Sequence, residues 1–119
     1  MTHIQRIGTS PRWSDVVIHR GVAKWVEVAE DPTQDARGQI AQVLAQVDAT
    51  LSQLEIPRTN LLQVLVFLAD LADAPALNEL WDAWTPRGHA PIRACVGVQL
   101  AVGYRVELVV EAGVEGERG

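Results

Sequence analysis

Two charged side chains near the carboxyl end of this 119-residue chain could together support hydrolysis. Arg93 lies in a strand-like stretch, Pro91 to Val98, whose odd positions also carry the single cysteine, Cys95, while its even positions are apolar. Glu107 stands fourteen residues later in a second stretch of the same pattern. A guanidinium offers two parallel donors to a carboxylate, and a carboxylate can move protons. The pair therefore predicts a site that holds a small acid and assists attack by water.

Periodicity predicts six strands and two helices as the frame for these residues. The first helix is expected to start at Asp31-Pro32-Thr33 and to end before Pro57, because a residue that precedes proline is pushed out of helical geometry. Asp73 is expected to cap the second helix, with Pro75 in its first turn. The predicted strands are residues 3–8, 14–20, 22–28, 61–69, 91–98 and 104–112. The predicted buried helix positions are Ile40, Val43, Leu44, Val47, Leu51 and Leu54, then Leu77, Leu80, Trp81 and Trp84.

This order of elements predicts an α+β domain over residues 1–112, with residues 113–119 as a flexible tail. Two helices can cover only one face of a six-stranded mixed sheet, so the other face is left for solvent or for another chain. If the apolar even positions of the last two strands face the helices, Arg93, Cys95 and Glu107 all lie on that open face. A mixed polar and apolar face of this kind suits a subunit interface that encloses polar sites.

Composition excludes several classes of protein. The net charge is −5 with ten scattered basic residues, which argues against a nucleic acid partner, because phosphate binding needs clustered Lys and Arg. The longest apolar run, 61–68, is strand length, so no membrane insertion is expected. One cysteine and three scattered histidines make neither a disulfide nor a zinc signature. The start of the chain lacks an apolar signal region, and the cytoplasm is the expected location.

Several motifs resemble those of the Rid family, also called the YjgF family, of reactive intermediate deaminases. The resemblance is carried by Pro-x-Arg-x-Cys-Val at 91–96 and by Val-Glu-Leu-Val-Val-Glu-Ala at 106–112. Arg-Trp-Ser-Asp-Val-Val at 12–17 matches the family's aromatic-Ser entry to the second strand, and the element order agrees over most of the chain. The motifs Arg-Trp-Ser-Asp-Val-Val-Ile-His and Trp-Asp-Ala-Trp suggest a less studied branch of the family.

The resemblance implies a chorismate-mutase-like fold, a homotrimer and active sites in clefts between subunits. It also implies hydrolysis of small 2-iminoacids or enamines, of the 2-iminopropanoate or 2-iminobutanoate type, to a 2-oxoacid and ammonia without cofactor or metal. By match to the motif, Arg93 is the carboxylate clamp, the backbone N–H near Cys95 assists it, and Glu107 positions or activates water. A small carboxylate-bearing metabolite is thus the expected partner, with His89 a further candidate for the cleft.

Three departures from the family pattern bear on the substrate pocket. Trp13 stands where the family has a tyrosine, and an indole can donate a hydrogen bond but not accept one. Glu27 stands at a glycine position, where it could pair with Arg93 and compete with an anionic substrate. The connection 99–103 lacks the usual Leu-Pro and is one residue shorter. These differences keep open a non-catalytic module that binds or senses small carboxylates, while the acidic balance makes ribonuclease action less favoured.

Each candidate residue also has a structural interpretation. Arg93 could form an ion pair with Glu27, Glu107 or Glu111 on the open face, and Glu107 could be an interface salt bridge. Cys95 is more often a small packed residue than a nucleophile, because a reactive thiolate needs exposure and a cation. A loop histidine such as His89 is most often solvated. If the last two strands formed a simple hairpin, Arg93 and Glu107 would lie roughly 17 Å apart along the strands and would not share a site.

Overall fold

The computed structural model describes residues 3–114, which form one sheet and two α-helices. The predicted order of elements and the α+β class are confirmed. The strands are β1 (Gln5–Ile7), β2 (Val16–His19), β3 (Val22–Val28), β4 (Leu61–Leu68), β5 (Ile92–Gly97) and β6 (Val106–Gly113). The helices are α1 (Ala36–Gln53), which follows β3, and α2 (Ala74–Trp84), which follows β4.

The six strands are arranged in the order β1-β2-β3-β6-β4-β5. All neighbouring pairs are antiparallel except β4 and β5, which are parallel and joined by the α2 crossover. The last strand, β6, therefore lies between β3 and β4 and does not pair with β5. The hairpin that would separate Arg93 and Glu107 along adjacent strands does not exist.

The predicted boundaries of α1 need one correction. The chain from Asp31 to Gln34 forms a turn, and the helix begins at Ala36 because the Asp35 side chain accepts the Gly38 N–H at 2.8 Å. The predicted apolar stripe is buried, with Leu54 partly so at the end of the helix. The left-handed backbone of Glu55 (φ 57°) then ends the helix before Pro57, as predicted.

Two other local predictions differ from the structure. Asp73 precedes α2, but its side chain caps no N–H and instead accepts a hydrogen bond from Arg105 Nη2 at 3.0 Å. Gly113 ends β6 and Val114 packs against the core, its N–H bonded to the Gly21 carbonyl at 2.8 Å. The ordered domain therefore runs past residue 112, and the rest of the predicted tail, 115–119, lies outside the described residues.

The hydrophobic core lies between the two helices and one face of the sheet. Val106, Leu108 and Val110 of β6 are fully buried in this core, as their even positions predict. A fully buried aliphatic side chain of this kind contributes about 1.5–3 kcal/mol relative to an exposed one. Among residues 3–114, no helix is long and apolar enough to cross a membrane.

The prediction for the faces of β5 was wrong, whereas that for β6 holds. Arg93 is the register partner of Val64, and Cys95 is that of Val66, and both valines are fully buried under the helices. Register partners point to the same face of a sheet, so Arg93 and Cys95 lie on the helix side. The apolar even positions of β5 instead face outward, and Ile92 is 68% exposed. The predicted alternation along β5 is correct. Which face of the sheet each set of side chains occupies depends on the register with β4.

A buried glutamine in α1 anchors the connection between β5 and β6. Gln39 is fully buried, and its Nε2 donates to the carbonyls of Pro32, Gln34 and Gly103 at 2.9–3.0 Å. Its Oε1 accepts the backbone N–H of Arg105 at 2.9 Å. One side chain thus fixes the turn before α1 and the loop that carries the chain into β6.

Replacement of Gln39 by alanine should lower the free energy of unfolding by about 2–4 kcal/mol, because one buried N–H and three carbonyls lose their partner. Urea unfolding with an unchanged m-value is the measurement. Gln53→Ala is the matched control, since Gln53 is exposed in the same helix. A loss no larger than in this control would contradict the anchoring role.

Candidate active site

Arg93 presents its guanidinium on the helix side of the edge strand β5. The guanidinium carbon lies 5.2 Å from the centre of the Trp81 ring, a cation-π distance. Within residues 3–114 the side chain makes no ion pair with a carboxylate. Glu27, Glu107 and Glu111, the three acids that could have neutralised Arg93, lie elsewhere. The planar donors of Arg93 are therefore held in place without an anion from the described part of the chain.

The Trp81 ring is itself buried and packs against Trp84, which is held by hydrogen bonds. Trp81 is 6% exposed, and its ring lies 5.3 Å from that of Trp84 at an interplanar angle of 50°. Trp84 donates through Nε1 to the Asp48 carboxylate at 3.1 Å, and Arg58 pairs with both oxygens of Asp48 at 2.9–3.0 Å. Trp81 is buried as predicted, whereas Trp84 is only partly buried and packs against the core. Their arrangement gives Arg93 a rigid support that reaches back to α1.

Cys95 and His89 lie near Arg93 in sequence but differ in environment. Cys95 is half-buried two residues along β5 and packs against the core, which agrees with the packing interpretation. His89 is exposed in the loop before β5, and its Nδ1 lies 3.0 Å from the Arg87 carbonyl oxygen. The structure of one chain therefore gives Cys95 a place beside Arg93 and leaves His89 at the surface.

Glu107 lies on the opposite face of the sheet from Arg93. It alternates with the buried Val106 and Leu108, so its half-buried carboxylate is on the open face. Within residues 3–114 this carboxylate makes no hydrogen bond or ion pair. By contrast, Glu111 on the same face lies 4.0 Å from Lys24 Nζ.

Arg93 and Glu107 of one chain do not share a site. Glu107 and Val96 are both register partners of Phe67, so Glu107 is two strands and three residues from Arg93. With strands about 4.8 Å apart and a rise of about 3.3 Å per residue, the two Cα atoms are roughly 14 Å apart. Their side chains also leave opposite faces.

A cavity of about 790 Å³ lies at the other end of the sheet, between the β1–β3 strands and the end of α1. Trp13 and Glu27, two of the three departures from the family pattern, both line this cavity. Trp13 is 63% exposed, so most of its surface is left uncovered by the chain, whereas Trp25 is buried at 5% exposure. The cavity lining is Ile7, Trp13, Ser14, Asp15, Val16, Trp25, Val26, Glu27, Val28, Thr50, Gln53 and Leu54.

Glu27 is held in the cavity wall by three neutral donors. Its Oε2 accepts from Trp25 Nε1 at 3.0 Å and from Thr50 Oγ1 at 2.8 Å, while its Oε1 accepts from Gln46 Nε2 at 3.2 Å. Trp25 and Glu27 are two residues apart on one strand face, and Gln46 and Thr50 are one helical turn apart. The predicted pairing of Glu27 with Arg93 is absent within the chain, because three strand spacings separate β3 from β5.

Five of the six sequence-predicted site residues fall into three groups, and the sixth, His89, is exposed in the loop before β5. Arg93 and Cys95 lie together on β5, Trp13 and Glu27 lie together in the cavity, and Glu107 stands alone on the open face. The support from Trp81 was not foreseen, although its place in the buried stripe of α2 was. Within residues 3–114 no cluster of three or more His, Cys, Asp or Glu residues could hold a metal ion.

Comparison with known proteins gives a consistent result at the level of sequence and of structure. Residues 4–114 match the family model described as endoribonuclease L-PSP. The RutC family protein YoaB of Escherichia coli strain K12 is 42% identical over 112 residues, covering 93% of this chain and 98% of the relative. A RutC family protein of Haemophilus ducreyi is 34% identical over 93% of this chain and 97% of its own.

Solved structures agree with these sequence matches. An uncharacterised protein from Pseudomonas aeruginosa superimposes with a TM-score of 0.88 at 34% identity, over 95% of this chain and 100% of that one. A member of the YjgF protein family from Neisseria meningitidis gives a TM-score of 0.87 at 34% identity, over 98% of this chain and 97% of the other.

Proposed function

The chain belongs to the YjgF/RutC/L-PSP family, and we propose that it hydrolyses small 2-iminoacids or enamines to 2-oxoacids and ammonia in a cleft between two copies of the chain. The observation that carries this proposal is the unpaired guanidinium of Arg93, which stacks on Trp81 and has no carboxylate partner within residues 3–114. A guanidinium without a carboxylate partner can bind the carboxylate of a substrate. We also propose that the protein acts in the cytoplasm.

Arg93 supplies binding and orientation in this reaction. Two parallel N–H donors fix a carboxylate in its plane, which also fixes the adjacent imine carbon. When its nitrogen is protonated, that carbon is electrophilic and needs only a correctly placed water. Water adds to the carbon, and one of its protons moves to the nitrogen. The carbon–nitrogen bond then breaks and releases ammonia, while the remaining hydroxyl gives up its proton and becomes the carbonyl of the 2-oxoacid. No group on this path requires oxidation or reduction.

A second copy of the chain is required to complete the site. Arg93 lies at the β5 edge, while the cavity with Trp13 and Glu27 lies at the opposite end of the sheet. In a closed ring of head-to-tail copies, the β5 edge of each copy contacts the Trp13 and Glu27 end of the next copy. No such end is then left without a partner. We propose a homotrimer of this kind, with the open face turned inward. That face carries apolar side chains that one chain leaves exposed, Val26 at 52% and Val96 at 47%. Sedimentation equilibrium should give three times the chain mass of 13.0 kDa.

Glu107 is proposed as the group that positions water and moves protons. Its carboxylate has no partner within residues 3–114 and lies on the proposed interface face. Because it faces away from Arg93 of its own chain, the two meet only if they come from different copies. General acid-base assistance of this type is worth roughly 10² to 10⁴ in rate.

The test is to generate 2-iminopropanoate in place with an amino-acid oxidase and to follow its loss with and without the protein. The proposal predicts acceleration over buffer that depends on protein concentration. A rate equal to that of buffer alone, from a protein that is folded by circular dichroism, would refute the hydrolase function.

A non-catalytic module that binds small carboxylates is the second candidate. The observation that favours it is the altered cavity, in which Glu27 and Trp13 replace the glycine and tyrosine of the family pattern. Calorimetry with 2-oxoacids separates the two candidates, since saturable binding without turnover supports the module. Ribonuclease action, named in the description of the family model, is disfavoured by the net charge of −5.

Trp81 should act as a positioning residue for Arg93. Trp81→Leu removes the cation-π contact while keeping an apolar side chain, so KM should rise about fivefold with kcat within about twofold. Trp81→Phe should have a KM close to that of the wild type, because phenylalanine keeps an aromatic face for the Arg93 guanidinium. Equal falls in kcat for both variants, or no rescue by phenylalanine, would indicate a purely structural role. Initial-rate kinetics on 2-iminopropanoate give the answer.

A further inference from the structure

Leu71 is an apolar side chain that lies exposed at the end of the strand that carries Arg93. It begins the short 3-10 helix Leu71–Asp73 before α2, and 56% of its surface is exposed. A Cβ atom added to Gly97, the last residue of β5, would lie 2.8 Å from the Leu71 Cγ atom. The Leu71 side chain therefore rests directly on the backbone of Gly97, and a larger residue at that position would displace it. This contact fixes Leu71 against the carboxyl end of β5.

Leu71 lies on the same face of the sheet as Arg93. Gly97 is the register partner of Leu68, which is fully buried under the helices, so a side chain at Gly97 would point to the helix side. Leu71 occupies that direction. Arg93, Cys95 and Leu71 therefore follow one another along the helix side of β5. At a rise of about 3.3 Å per residue, Leu71 lies roughly 7 Å beyond Cys95 and about 13 Å beyond Arg93 along the strand.

This arrangement places an apolar surface within reach of a carboxylate bound to Arg93. In the proposed function, the carboxylate lies between the Arg93 guanidinium and the backbone N–H near Cys95. Cys95 is only half-buried and Leu71 is exposed, so a ligand held there can contact both. An apolar contact takes up about 4 Å of the roughly 7 Å between them, and a side chain of about three or four carbons spans the rest. A methyl group would cover little of Leu71.

The charges beside Leu71 favour a neutral side chain on the ligand. Asp73 accepts a hydrogen bond from Arg105 Nη2 at 3.0 Å, so the positive charge of Arg105 is already paired. Asp70 accepts the Ala72 N–H at 2.9 Å, and within residues 3–114 it pairs with no cation. The negative charge of Asp70 next to Leu71 repels a second carboxylate on the ligand.

We propose that Leu71 is a specificity-determining residue, which selects 2-iminoacids that carry a neutral aliphatic side chain of about three or four carbons. Contact with this side chain removes apolar surface of both partners from water. The inference rests on the proposed function, because it takes Arg93 as the carboxylate clamp, and it deepens that function by naming the class of substrate. The hydrolysis itself is unchanged, since Leu71 touches only the unreactive part of the substrate.

Three 2-oxoacids test this selection, because they share the carboxylate and the planar carbon next to it. Pyruvate, 4-methyl-2-oxopentanoate and 2-oxoglutarate are titrated separately into the protein, and binding is measured by isothermal calorimetry. We expect 4-methyl-2-oxopentanoate to bind about tenfold more tightly than pyruvate, because its additional carbons bury apolar surface against Leu71. The second carboxylate of 2-oxoglutarate should make it bind no more tightly than pyruvate.

Variants assign this preference to Leu71. Leu71→Ala should reduce the preference to within about twofold and leave the affinity for pyruvate within about twofold of the wild type. Leu71→Met, which keeps an apolar side chain of similar volume, should retain the preference. Gly97→Ala should reduce it, because the added Cβ displaces Leu71. Leu62→Ala is the matched control: Leu62 is 44% exposed at the opposite end of β4, and its loss should change none of the affinities.

Equal affinity for pyruvate and 4-methyl-2-oxopentanoate, an unchanged preference in Leu71→Ala, or no binding of any of the three acids would overturn the inference. An equal loss for all three acids in Leu71→Ala would also overturn it, since that result assigns Leu71 a structural or interface role. If Leu71→Ala does not fold, Gly97→Ala carries the same test. Selective binding without hydrolysis of iminoacids would support the inference and refute the hydrolase, whereas hydrolysis with equal affinities would do the reverse.

Discussion

Arg93→Ala should lower kcat/KM for 2-iminopropanoate about 100-fold or more. Each hydrogen bond to a charged group contributes about 1.5–3 kcal/mol, and the guanidinium offers two to the substrate carboxylate. The loss should fall on both KM and kcat, because the carboxylate also orients the imine carbon for attack. Initial rates with the oxidase-coupled assay give both constants.

One further variant separates charge from geometry at this position, and a second serves as its control. Arg93→Lys keeps a positive charge but loses the planar pair of donors, so it should recover only a small part of the activity. Arg37→Ala is the matched control, since Arg37 pairs with Glu79 at 3.0 Å on the exposed surface of α1 and α2. Full activity in Arg93→Ala, with the Arg37 variant also active, would show that the guanidinium binds no substrate.

Glu107→Gln should lower kcat by roughly 10² to 10⁴ while leaving KM within a fewfold of its starting value. The amide keeps the size and shape of the side chain but can no longer accept and return a proton. Initial-rate measurement of kcat and KM distinguishes this loss from a binding defect, because a binding defect would raise KM, whereas the loss of proton transfer lowers kcat.

Glu111→Gln is the control for this substitution. Glu111 lies four residues along the same strand and on the same face, but it is paired with Lys24 at 4.0 Å. We expect it to retain activity within about threefold, as for other exposed ion pairs. Equal losses in the two variants would assign Glu107 a role in the interface and not in chemistry.

The sequence predicted the elements well because their signals are local. The apolar spacing along α1 and the break before Pro57 are properties of neighbouring residues, and both match the structure. The start of α1 was placed four residues early, since Asp31 and Asp35 are both plausible caps and only the hydrogen bond to Gly38 distinguishes them. Family resemblance added the chorismate-mutase-like fold, which local patterns do not contain.

The faces of the strands and the shape of the site could not be predicted in the same way. Alternation along β5 places Arg93 and Cys95 together, but only the register with Val64 and Val66 shows that they face the helices. The support of Arg93 by Trp81 depends on a contact between a strand and a helix twelve residues apart. Contacts of this kind arise from tertiary packing, which no short window of sequence encodes.

The central claim is that one active site takes Arg93 from one copy of the chain and Glu107 from another. The most direct measurement is to mix unfolded Arg93→Ala and Glu107→Gln chains in equal amounts, refold them together and measure hydrolysis of 2-iminopropanoate. If the two residues come from different chains, random assembly restores both to about a quarter of the sites, so activity should return to roughly that fraction of the wild-type rate. Activity that stays at the level of the two variants refolded separately would contradict the claim.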